Sequence, residues 1–291
     1  MFKSLKFIFY SIFAVSTLLA VGIAYAGVDN EVPSCYTANK IKPVTPVYDN
    51  LVYVLLDQTV QLDAVLQKSV LDNILQLMIP GTKFVVTEFS AFSQGHYLTV
   101  LHTGIIEKPI PPNQEGDVVM SRLDSFKTCL KQQGLFAQRM VLGTSYQVMK
   151  ESLNSLDQSD VMLAFYTVSK AVKLDSAKQK IVLSVTDGLE NSSITTFYSH
   201  NMVRDINPDD ELKKVNSNQL FGDFGGASVY VIGGAIMPPA KQGTAAQRNG
   251  YRDPKTLRNL KTFWQEYFQK SNAQLREFGE PALVDPVKFS K

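Results

Sequence analysis

The sequence predicts a three-layer α/β sandwich with a mostly parallel central sheet, one antiparallel edge strand and helices on both faces. Three observations carry this. The apolar runs at 51–56, 180–186 and 228–236 are too continuous for strands with one wet face, so they read as strands buried on both sides. Segments of helical period separate them, and that alternation builds a parallel sheet through crossover helices. The first two runs end in Asp57 and Asp187, on the edge where ligands bind in such sheets.

Taken in order, 27–50 holds Pro33, Pro43 and Pro46 without apolar periodicity and reads as an extended arm before a domain over 51–291. The run Leu51–Leu56 is the first strand. From Leu62 the period becomes helical, with Leu62, Val65, Leu66, Ser69, Val70, Asn73, Ile74 and Leu77 on one face, until Pro80-Gly81 stops it. Lys83–Phe89 and His96–Ile106 are β-rich around the short turn Ser90–Gly95, the pattern of an antiparallel hairpin. A Pro-rich loop over 107–118 precedes helical stretches near Val119–Gln133 and Thr144–Leu153. A further helix spans about Ser159–Leu174, with Ser159-Asp160 as its cap. Residues 188–224 read as loop with one polar helical piece, and Pro254 opens a final helix reaching about 277. The order suits an open, Rossmann-like sheet in a single domain.

Composition excludes several classes. Of 291 residues, 45% are hydrophobic and 19% charged, which is globular chemistry rather than a disordered or polytopic membrane chain. The net charge of +2 offers no basic field for nucleic acid. Residues 1–26 carry Lys3 and Lys6, no acid, an apolar run from Phe7 and the small-x-small exit Ala24-Tyr25-Ala26. That is the pattern of a cleaved signal peptide and implies a periplasmic or secreted protein that meets the membrane only through its export signal. An uncleaved anchor is the alternative. The two lysines account for the whole positive excess, so the mature chain is neutral. In an oxidising compartment Cys35 and Cys129 are candidates for a disulfide, and two unpaired thiols are the other option.

The loops Asp57-Gln58-Thr59-Val60-Gln61 and Thr186-Asp187-Gly188 each follow a strand with a carboxylate and hard oxygen donors. Such donors suit Mg²⁺ or another divalent cation, although an Asp at a strand–helix turn often only caps the helix. Together the loops resemble the von Willebrand factor A (integrin I-like) family, whose first buried strand ends in Asp-x-Ser-x-Ser and whose fourth is followed by an Asp, often with Gly after it. The resemblance covers roughly 50–280. It implies a metal-ion-dependent adhesion site made by Asp57, Thr59, Gln61 and Asp187, with Ser159 supplying the middle-loop hydroxyl and Ser155 or Thr144 as alternatives. Gln61 departs from the pattern by putting an amide where the family has a hydroxyl. The family binds partners more often than it catalyses. The implied function is therefore protein binding in an envelope, adhesion or secretion assembly, with or without the cation, and no catalytic residue.

An exported α/β hydrolase-like or metal-dependent phosphoryl enzyme using Asp57 or Asp187 is the alternative, although no GxSxG elbow is present. Gly222-Asp-Phe-Gly-Gly226 has Phe224 where a serine nucleophile would stand. Gly233-Gly234 reads as a place of close helix packing, and His96 and His102 as structural. Phe263, Trp264, Tyr267 and Phe268 have the spacing of a buried helical stripe.

Overall fold

The computed structural model describes residues 30–90, 98–152, 159–199, 202–237 and 253–290. The first apolar run forms β1 (Asn50–Asp57), buried from Leu51 onward. It lies between two parallel neighbours, β2 (Thr82–Phe89) and β4 (Gln179–Val185). Beyond β2 runs β3 (Thr99–Ile106), antiparallel, as the hairpin pattern required; its connection and His96 lie outside the described residues. A two-stranded pair, β5 (Tyr198–Ser199) and β6 (Met202–Val203), stands apart from the main sheet. On the other side of β4, β7 (Ala227–Ile232) and β8 (Ala273–Phe278) continue the sheet in parallel, giving the order β3-β2-β1-β4-β7-β8.

The pleat of β1 divides the core. Val52, Val54 and Leu56 point to one face and pack with α2 (Ala64–Leu77) and α3 (Met120–Glu151), through Val70, Ile74, Ala137 and Val141. Leu51, Tyr53 and Leu55 point to the other, which is covered by α4 (Val161–Leu174), α5 (Pro208–Ser217) and α6 (Pro254–Lys270). This is the three-layer sandwich the sequence predicts. Phe263, Trp264, Tyr267 and Phe268 are all buried on α6, in edge-to-face contacts with Phe165 of α4 and one another. Among the described residues no helix is long and apolar enough to cross a membrane.

Several boundaries differ from expectation, for local reasons. The two helical stretches after 119 are one helix, because Leu123, Phe126, Gln133, Ala137, Val141, Ser145 and Val148 bury a continuous stripe through Gly134 and Gly143. The cost of a mid-helix glycine, about 1 kcal/mol each, is smaller than that burial. The final helix stops at Lys270, and Asn272 turns the chain at φ 52° into β8. Arg276 and Glu277 in this half-exposed edge strand disguise it in the sequence. Val65 points outward, 77% exposed. The third run ends at Ile232, and the glycines after it admit β8 rather than a helix. A Cβ on Gly234 would lie 2.3 Å from Phe278 and 2.5 Å from the Gly279 carbonyl.

Within the arm, α1 (Cys35–Ala38) carries the disulfide Cys35–Cys129 to α3. Buried Glu107 accepts from the Ser34 hydroxyl at 2.6 Å, the Cys35 N–H at 2.7 Å and Gln133 at 3.1 Å, fixing α1 against the sheet.

Candidate functional site

The parallel register of β1 and β4 pairs Leu56 with Val185, so Asp57 and Thr186-Asp187 leave the sheet side by side. Asp57 is only 3% exposed. Its Oδ1 accepts from the Thr59 N–H at 2.9 Å and the Thr59 hydroxyl at 2.6 Å. Its Oδ2 accepts from the Thr186 hydroxyl at 2.7 Å and the Ser159 hydroxyl at 3.3 Å. Asp187 accepts from the Leu189 N–H and the Tyr198 hydroxyl, both at 2.8 Å.

Backbone pairing aims Ser159. Its N–H and carbonyl exchange bonds of 3.1 and 3.0 Å with Asn191, which strap the start of α4 to the loop after β4. Asp160 occupies the N-cap of α4 but makes no capping bond with its side chain; instead the buried Glu190 carboxylate accepts from the Met162 N–H at 2.8 Å. The expected cap is thus supplied from another loop. Gly188 adopts φ 68°, and a Cβ there would sit 2.8 Å from the Trp264 indole nitrogen, which donates to the Gly188 carbonyl at 2.9 Å. The Asp-Gly pair therefore has a packing reason of its own.

Of the residues expected at the site, Asp57, Thr59 and Ser159 are joined directly, and Asp187 feels the charge of Asp57. Gln61 lies on the exposed side and donates its amide to the Ser152 carbonyl at the end of α3, 3.0 Å away. Thr144 sits inside α3, about two turns before its end. Ser155 lies outside the described residues. Two participants were not singled out from the sequence. Thr186 needed the strand register to reveal it, and Tyr198 reaches back from β5, eleven residues after Asp187.

Burial pushes the Asp57 carboxyl up, against the bonds from Thr59, Thr186 and Ser159 that favour its charge. Burial, then the charge of Asp57, pushes Asp187 up as well. Two buried carboxylates that resist simultaneous ionisation are a place where a cation would be favoured. Among the described residues no three His, Cys, Asp or Glu groups cluster as a metal site. The fit is instead two carboxylates with hydroxyls, an oxygen-only set suited to a small hard cation.

No family model matches the chain, and no curated protein does. Among solved structures it is similar to an aerotolerance-related membrane protein from Bacteroides fragilis NCTC 9343, at 14% identity over 78% of this chain and 90% of that one, with a TM-score of 0.35. A second similarity is to the N-terminal domain of TFIIH p34, at 9% identity over 76% and 98% of the two chains, with a TM-score of 0.24. Superpositions this loose carry no functional weight, and the fold class rests on the sheet order itself.

Proposed function

We propose that this chain is an exported von Willebrand factor A-like binding module whose Asp57–Asp187 edge recognises a protein partner in the cell envelope with the help of a divalent cation. The observation behind the reading is the convergence of the Thr59, Ser159 and Thr186 hydroxyls on one buried carboxylate at the end of a central strand. Asp57, Thr59, Ser159 and Asp187 would hold the ion, with Thr186 orienting Asp57. Mg²⁺ there would supply a Lewis-acidic position for a carboxylate of the partner. Gln61 donates its amide N–H to the Ser152 carbonyl and is left outside the proposed ion-holding set. The reading assigns recognition rather than turnover. The export pattern of 1–26 and the disulfide favour an oxidising compartment.

Calorimetric titration with Mg²⁺ and Mn²⁺ on wild type and Asp57→Ala checks the cation. Binding heat is expected in wild type alone. Equal heats, or none in either, would remove the cation from the reading, and partner binding insensitive to chelator would assign the edge to direct protein contact.

A further inference from the structure

A groove lies at the opposite edge of the sheet, where the parallel strands begin. The segments 40–45, ahead of β1, and 108–119, after β3, enclose about 680 Å³. Its floor is apolar: Ile41, Val44, Ile110 and Val118 rest on the small core of Tyr36, Leu123 and Phe126 around the disulfide. Val119 extends this surface and is 63% exposed.

The rim is cationic. Lys40 and Lys42 stand on one side and Arg122 on the other, all exposed and none in an ion pair among the described residues. Lys108 is neutralised by Asp49 at 2.8 Å, and Asp117 is the one acid lining the groove among the described residues. Pro43, Pro109 and Pro111 have no N–H to donate, and the second wall passes after Pro111 into a short 3₁₀ helix, Pro112–Asp117. The walls are also joined beneath the floor. The disulfide ties α1 to α3, and the Tyr36 hydroxyl donates to the Lys108 carbonyl at 2.8 Å. A groove held this way loses little freedom on binding.

We propose that this groove binds an extended acidic segment of a partner protein, with apolar side chains on the floor and carboxylates at Lys40, Lys42 and Arg122. Charge complementarity selects that occupant. The whole chain carries a net charge of only +2, so these cations, unpaired among the described residues, form a local field, and a neutral or basic segment would leave them unmatched. The length of β1 separates the groove from Asp57 by about 25 Å, so the two sites are tested independently.

Fluorescence anisotropy on the oxidised mature chain, using short labelled peptides that alternate Glu with Leu, Gln with Leu or Lys with Leu, tests the assignment. The Glu peptide should bind, and Lys42→Glu with Arg122→Glu should weaken it about tenfold at low salt, the difference shrinking as salt rises. Asp57→Ala should bind it like wild type. Should the reversed pair lower the melting temperature, Lys42→Gln with Arg122→Gln repeats the measurement. Equal binding of the Gln peptide, indifference to the charge changes, or binding to anionic phosphatidylglycerol vesicles but not to the Glu peptide would each overturn the proposal.

Discussion

Asp57 and Glu190 are both buried acids, and their neighbours give them different work. Thr59 was legible as a partner of Asp57 because the two lie in one tight turn, where spacing alone brings a hydroxyl to a carboxylate. Thr186 was not, since its approach depends on how β4 registers against β1. Glu190 carried no sequence signal, yet it caps α4 and so helps hold Ser159 at the site. Burial raises its carboxyl from the ordinary 4.5 to about 8. The folded chain then keeps a proton that the unfolded chain has lost, so this group's contribution to stability falls as pH rises between those values. Glu190→Gln keeps an oxygen for the Met162 N–H and removes the titration. Thermal melts across that window should show a flatter pH dependence for Glu190→Gln than for wild type. Some slope should persist, because Asp57 and Asp187 are raised in the same direction.

Glycine has opposite meanings in different elements. Gly134 lies on an open face of α3, with nothing within 4 Å of a Cβ built there. Gly134→Ala should therefore stabilise the protein by about 0.5–1 kcal/mol, read as a higher denaturant midpoint. Gly234 is where β7 turns beneath β8, and an added Cβ would meet Phe278 and the Gly279 backbone. Gly234→Ala should cost about 1–3 kcal/mol in the same measurement. The helical stretches expected near 119–133 and 144–153 are one helix, because the local pattern lapses between them while the buried stripe that carries α3 through is formed with β1, β2, β3 and α2. Sequence reading missed β8 for a related reason. An edge strand with one covered face and charged outward residues lacks the continuous apolar run that identified β1, β4 and β7.

At the scale of the molecule, the Cys35–Cys129 bridge closes a loop spanning 94 positions and fastens the arm to α3, beside the hydrogen bonds that hold it to Glu107. Cys35→Ser with Cys129→Ser should lower unfolding free energy by about 2–4 kcal/mol, measured by guanidinium denaturation of both forms. Because α1 leads into one wall of the basic groove, the same substitution should loosen that groove while the Asp57 edge, at the far end of β1, keeps its geometry.

The sequence by itself determined the class of fold, since runs buried on both faces and separated by helical segments have few other solutions. It also determined which two strands deliver a carboxylate to the carboxyl edge of the parallel sheet, because a strand end is a local feature. Only the tertiary structure decided what those carboxylates meet. The hydroxyls of Thr186 and Ser159, the capping Glu190 and the Tyr198 contact come from elements brought together by strand register and loop pairing, which one-dimensional spacing does not encode. The basic groove has the same origin: its two walls are far apart in sequence, and the disulfide and the hydrogen bonds beneath its floor hold them together in space.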